Sequence, residues 1–279
     1  MKRYNRIIFK DNTVLNDFSP SLGDYFANTE TIALVSAEDS IMIGSYLPWN
    51  HRYIDVSTAN DQTAALSVEI WDGSDWTAAA DIVDETASAG ASLAQSGYVF
   101  FTVDKDSKWG RENSTEDITA LSSMKIYNMF WARFTWNADL NANTALNYIG
   151  WRFSNDNELG SYYPDLLDAA LLDSFESGKT NWNDQHFIAA DHILMKLEGR
   201  GEIWTPNTIL EPSRFLHASI EKTAEIIFKA LGDDYEDNRK NASSEFHKLI
   251  NSPVKDLDSN QDGFQQTSER REKIGIYRT

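Results

Sequence analysis

The sequence predicts an α+β chain in two domains: an N-terminal antiparallel β-sandwich of jelly-roll or immunoglobulin-like type, then a small α-helical bundle with an extended C-terminal tail. Three observations carry this expectation. From Thr31 to Phe153, short runs of β-branched and aromatic residues alternate with turns rich in Gly, Asn and Asp. From Tyr162 the apolar spacing changes to the helical i, i+4 pattern. Past Asn251 the chain turns polar and gathers Arg. The expected organisation is an arm over 1–30, the sandwich over 31–158, the helical domain over 159–251 and the tail over 252–279.

Each element follows from local chemistry. In the arm, Ile7, Ile8 and Phe9 form a short strand suited to docking, while Pro20 and Gly23 break any longer element. An arm lying on a neighbouring subunit and a frayed terminus both fit this segment. The runs TIALV (31–35), SIMIGSYL (40–47) and RYIDVS (52–57) are rich in strand formers. LSVEIW (66–71) sets Leu66, Val68 and Ile70 on one face against Ser67, Glu69 and Trp71 on the other. It runs into Asp72-Gly73, residues that tolerate the positive φ of a hairpin turn, and the partner strand restarts at Trp76. GYVFFTV (97–103), FWARFTW (130–136) and NYIGWRF (147–153) complete the set. Segments 84–96 and 104–123 read as loops, the second with a short helix around Glu116–Ser123. Trp71, Trp76, Trp131, Trp136 and Trp151 read as sandwich core, with a sugar-stacking surface as the alternative.

The polar run SNDNELGSYY (154–163) marks the boundary. Pro164 opens a helix over 164–178 with Leu167, Leu171 and Phe175 on one face and Gly178 as its stop. A second helix spans 183–198, its apolar face formed by Phe187, Ala190, Ile193, Leu194 and Leu197. Two Gly and two Pro make 199–212 a loop. A third helix over 213–231 carries the stripe Leu216, Ile220, Ala224, Ile227 and Leu231. A fourth over 234–250 ends in Phe246, Leu249 and Ile250.

Composition narrows the function classes. The 279 residues carry a formal charge of −18, which disfavours a groove built to grip phosphates but is compatible with a channel through which DNA slides. There are no cysteines, so disulfides and thiolate metal sites are excluded. No stretch has the length of a signal peptide or membrane span, so the chain is expected to be made in the cytoplasm and to stay soluble. The five histidines fall into no zinc-binding pattern. Gly-x-Ser-x-Gly and a phosphate-binding Gly-rich loop are both absent. The expectation is therefore a protein that is not an enzyme.

Two motifs near the C-terminus carry chemistry. Asp258, Asn260, Asp262 and Glu269, with Gly263 at the turn, match the D-x-[DN]-x-[DN]-G-x5-E spacing in which alternate oxygens converge on calcium. The same residues also read as an Asx-rich turn that starts the tail. Beyond them Arg270, Arg271, Lys273 and Arg278 bring positive charge, and Ile274, Ile276 and Tyr277 are spaced as a strand suited to β-addition on a partner.

Trp71-Asp72-Gly73, Trp76, Asp84-Glu85-Thr86, Ser96-Gly97-Tyr98 and Trp131-Ala132-Arg133 together resemble a β-sandwich module of tailed-phage structural proteins. The short helices, Asn-Gln-Asp-Gly loop and Arg-bearing end are similar to phage head–tail adaptor (connector) proteins. The resemblance implies a virion protein of the neck, forming a homo-oligomeric ring, typically a dodecamer, beneath the portal. DNA would be passing cargo, the tail residues Arg270, Arg271, Ile274, Ile276, Tyr277 and Arg278 would dock on the portal protein, and downstream neck or tail proteins would bind the ring. Minimal adaptors lack the N-terminal sandwich. A carbohydrate- or protein-binding module of a phage tail or baseplate is the alternative reading.

Overall fold

The computed structural model describes residues 5–36, 38–102, 109–111 and 128–251. The helix expected around Glu116–Ser123, the Asp258 loop and the whole tail lie outside the described residues. The fold is α+β, with two antiparallel sheets and a set of helices. It divides into two compact units, one ending at Gly150 and one beginning at Trp151.

The first unit holds both sheets. Strands β1 (Arg6–Asp11), β2 (Val14–Asp17), β4 (Ser40–Ser45), β10 (Phe130–Trp136), β6 (Leu66–Trp71) and β7 (Trp76–Ala78) form one, in the order β2-β1-β4-β10-β6-β7. Strands β3 (Glu30–Thr31), β11 (Ala145–Gly150), β5 (His51–Thr58), β9 (Gly97–Thr102) and β8 (Ala80–Asp84) form the other, in the order β3-β11-β5-β9-β8. Alternation sends one side of each strand into a shared apolar core. Ile7, Ile43, Val68, Ile70 and Phe134 come from the first sheet and Ile54, Val99, Phe101 and Leu146 from the second. Each such side chain contributes about 1.5–3 kcal/mol by leaving water.

The other face of the first sheet is also covered with apolar groups, because Ile8, Met42, Trp71, Met129 and Trp131 form a second cluster there. Trp131 lies across Gly44, its ladder partner, and the missing side chain at Gly44 makes room for the indole. Beyond this cluster Arg133 pairs with Glu69 at 2.6 Å and stacks over Trp76.

The β6–β7 hairpin turns at Asp72, as expected. The Asp72 carboxylate accepts from the Ser74 and Asp75 amides, both at 2.8 Å, and Gly73 takes φ +104°. These backbone donors hold its pKa down to about 2.

Three expectations need correction. Residues 6–17 are not an arm: β1 sits between β2 and β4, and Ile7 and Ile8 are fully buried. The hairpin there is closed by Asn12 at φ +49°, with Asp11 opposite Val14. The run 31–35 pairs only at Thr31, although Ile32 and Leu34 still enter the core. Trp151–Phe153 is not strand, since β11 ends at Gly150.

The second unit is helical. Short helix α1 (Ser19–Leu22) belongs to the first unit; α2 (Asp156–Tyr162), α3 (Ala169–Phe175), α4 (Asn183–Gly199), α5 (Leu216–Leu231) and α6 (Glu236–Ile250) build the second. The expected single helix over 164–178 is broken. A 3-10 turn spans Pro164–Leu167, then Asp168 turns extended and caps α3 by accepting from the Ala170 and Leu171 amides. The polar run before it, expected to mark the boundary, carries α2, started by a capping box in which Asn155 accepts from the Glu158 amide and Glu158 accepts from the Asn155 amide. The faces predicted for α4 and α5 are the buried ones. Leu159, Leu166, Leu172, Trp182, Ile220, Ile227 and Phe228 gather into the core of this unit.

Candidate functional site

The tail residues Arg270, Arg271, Ile274, Ile276, Tyr277 and Arg278, and the calcium-loop residues Asp258, Asn260, Asp262 and Glu269, all lie outside the described residues. Among the described residues no group of three or more His, Asp or Glu is placed to hold a metal ion. Of the aromatic set, Trp71, Trp131, Trp136 and Trp151 are buried and Trp76 is half-buried beneath Arg133. Trp204, in the loop after α4, is the exception at 79% exposed.

Two constellations appear that sequence inspection does not find. The first is a buried chain of polar groups in the helical unit. Ser154 precedes the α2 cap, His186 lies on α4, and Ser219 and Thr223 are one turn apart on α5. Ser154 Oγ lies 2.7 Å from His186 Nδ1 and 2.7 Å from Ser219 Oγ, and Thr223 Oγ1 lies 3.3 Å from the same nitrogen. On the other side, His186 Nε2 is 3.1 Å from Asp156 Oδ1. Asp156 in turn accepts from the Trp182 amide at 3.2 Å. Burial pushes the His186 pKa down, although the Asp156 hydrogen bond opposes this. Burial also works to raise the Asp156 pKa, but hydrogen bonds from His186 and the Trp182 amide, with the nearby Arg152 charge, outweigh it, so the carboxyl titrates below its ordinary value. An ionised Asp156 therefore faces a neutral imidazole that carries its proton on Nε2. Nδ1 then accepts from Ser154 or Thr223, and the Ser154 and Ser219 hydroxyls share a hydrogen bond.

Serine, histidine and aspartate are the groups of an acyl-transfer triad. Such a triad also requires a reacting atom within about 3 Å of the nucleophile and of oxyanion donors. Here His186 and Ser219 are fully buried and Ser154 is 4% exposed. As built, the arrangement ties the 152–156 segment to α4 and α5. Arg152 completes the tie, donating to the Ser154 carbonyl and to Asn183 Oδ1, both at 2.8 Å.

The second constellation is a groove of about 650 Å³ on the same unit, walled by the aromatic rings of Tyr162, Tyr163, Phe228 and Tyr235 and bordered by Asp165 and Asp168. Its rings are fixed from behind. Phe228 stacks on Tyr235 with centroids 5.8 Å apart and meets Tyr163 edge-on at 5.7 Å. The Tyr163 hydroxyl donates to Glu221 at 2.6 Å and the Tyr162 hydroxyl lies 2.8 Å from His217 Nδ1. Burial raises the Tyr163 pKa, with the Glu221 bond adding to it; burial likewise raises the pKa of Glu221. Among the described residues the lining includes two carboxylates and no cation. The turn that carries Tyr235 adds Asp233 and Asp234, and α6 opens with Asp237 and with Glu236, which is paired with Arg239 and Lys240. An anionic, aromatic-walled groove is chemically matched to guanidinium or ammonium groups.

A buried cation occupies the first unit. Arg52 stacks 3.9 Å from the Trp49 ring centroid and donates to the His51 carbonyl and to Asn5 Oδ1. Burial lowers its pKa, and burial followed by the Arg52 charge lowers that of His51.

No protein-family model matches the sequence, and no curated protein does. Among solved structures, CpGH89CBM32-6 produced by Clostridium perfringens aligns with 53% of this chain and 93% of its own, at 14% identity and a TM-score of 0.28. No helix among the described residues is long and apolar enough to cross a membrane. A similarity at that TM-score carries no weight for fold or function, so a functional reading rests on this chain's own residues.

Proposed function

We propose that this chain is a structural virion protein, a head–tail adaptor that forms a ring beneath the portal and links capsid to tail around the DNA channel. The observation that carries the reading is the role of the residues shared with the phage sandwich module. Asp72 and Gly73 make the β6–β7 turn, Trp131 fills the space over Gly44, and Arg133 bridges Glu69 and Trp76. Asp84 accepts from the Thr86 amide and hydroxyl and from Ser92, closing the turn after β8. These residues serve architecture rather than turnover. The first unit reads as a jelly-roll, since the chain crosses between sheets from β4 to β5, β5 to β6, β9 to β10 and β10 to β11. The helical unit supplies the ring, the acidic balance suits passing DNA, and the tail supplies the portal contact, with the Asp258 motif as a candidate calcium loop.

The sugar-binding alternative loses its main support, because the Trp residues of the sheets are buried or covered. Cryo-electron microscopy of the source particles, averaged about the portal axis, tests the proposal. Helical density in a ring under the portal, with tails entering it, is the expected result. A neck built without this chain would refute it and turn attention to the tail tip and glycan screens. In a binding assay, Ile276→Asp or Tyr277→Asp should weaken portal binding.

A further inference from the structure

We propose that the aromatic groove of the helical unit is the docking site for the chain's own basic C-terminal segment, residues 269–279. The proposal does not depend on the virion reading.

Charge and chemistry identify the occupant. The groove offers Asp165 and Asp168 with no cation lining it among the described residues, and the turn beside it is acidic. In a chain of charge −18, residues 269–279 are the contrasting stretch: Arg270, Arg271, Lys273 and Arg278 against Glu269 and Glu272. The Asp165 main-chain carbonyl accepts from the Asp168 amide, while no hydrogen bond or ion pair among the described residues engages its carboxylate, which is available at the rim. The rings of Tyr162 and Tyr235 present faces over which a guanidinium gains cation–π attraction. Ile274, Ile276 and Tyr277 match the apolar wall formed by Leu166, Leu171 and Phe228.

The reach also fits. Asn238, in the first turn of α6, lines the groove, and that helix ends at Ile250. At about 1.5 Å per residue the chain leaves α6 roughly 20 Å from the groove. A random coil of twenty-odd residues, the number that follows Asn251, would span about 25 Å. The segment can therefore return to its own groove, or enter that of an adjacent copy, without strain.

The chain contains no cysteine, which permits a direct test on the full-length protein. Asn238→Cys is paired with Gly275→Cys, leaving every charge of groove and tail in place. The control pairs Gly275→Cys with Met195→Cys, an exposed site on α4. Met195 precedes Lys196, which lies 2.9 Å from His247 toward the far end of α6, about 14 Å along the helix from Asn238. Disulfide formation is timed on non-reducing gels.

A tether alone brings both pairs to similar effective concentration. Docking should make the groove pair form about tenfold faster, the effect expected of a few weak ionic and cation–π contacts. Asp165→Lys, or Arg270→Glu with Arg278→Glu, should return it to the control rate, as should high salt. A monomeric product would mean docking within one chain and a dimeric product docking on a neighbour; both uphold the site. Equal rates for the two pairs, or a groove-pair rate unmoved by charge reversal, would overturn it.

Discussion

Replacing Gly44 by Ala should destabilise the first unit, against the usual effect of removing a strand glycine. A Cβ at Gly44 falls 2.7 Å from Cη2 and Cζ3 of Trp131 and 2.8 Å from Cζ2. Carbon atoms prefer separations of about 3.5–4.0 Å, so the indole has to retreat by roughly 1 Å. Trp131 is 0% exposed and packed among Ile8, Met42, Trp71 and Met129, so the retreat pushes into filled space. Overpacking of this kind costs about 1–3 kcal/mol. Without Trp131 the same substitution would gain about 0.4–1 kcal/mol by restricting the unfolded chain. The sign therefore reports on one ring. Urea unfolding followed by near-ultraviolet circular dichroism measures it, with the midpoint shift converted through the m-value. Gly44→Ala should lower the midpoint in the native background, and should leave it unchanged or raise it when Trp131→Leu is present. An equal effect in the two backgrounds, or a gain in the native one, would refute the reasoning.

Other predictions concern protonation and helix initiation. His51 and His186 have pKa values lowered by burial, so below about pH 6.5 the unfolded chain takes up protons that the folded one refuses. Stability present above that pH should fall as the pH drops, by up to about 1.4 kcal/mol per unit for each histidine. Asp156, whose pKa is lowered, acts in the same direction at lower pH. His51 packs against Tyr98 and Phe100, so His51→Phe should be tolerated and should flatten the urea midpoint between pH 7 and 5; a slope identical to that of the native protein would count against burial as the cause. Asn155→Ala should cost about 1 kcal/mol in thermal unfolding by uncapping α2, whereas Asn157→Ala, in the same turn, should stay within about 0.5 kcal/mol.

What the sequence made legible was periodicity. Leu66–Trp71 alternates and ends in Asp-Gly, and α4 and α5 bury the stripes their spacing predicts. The errors cluster where a polar residue has a backbone task. Asn12 closes a hairpin, Asn155 starts a helix within a polar run that reads as a boundary, and Asp168 ends one turn and caps the next. In each case the information lay in one side chain's hydrogen bond rather than in an apolar pattern. The candidate sites are less legible still. Ser154, His186 and Ser219 are separated by more than thirty residues each and meet only through the packing of α4 against α5. The groove joins residues 162–174 to 228–238 through contacts such as that of Tyr163 with Phe228.

The outer strands of the two sheets have a consequence for life at high concentration. Each sheet exposes two margins among the described strands. β3 has two residues, β7 three and β2 four. The longest margin, β8, is interrupted where Asp81 adopts φ +48° and the pairing with β9 shifts register. A neighbouring molecule seeking to extend a sheet finds too few regularly spaced amides and carbonyls on any of them to grip. Many copies can therefore crowd together without zipping into fibrils. Association is left to side-chain surfaces, which can be specific about partner and angle in a way that an open backbone ladder cannot.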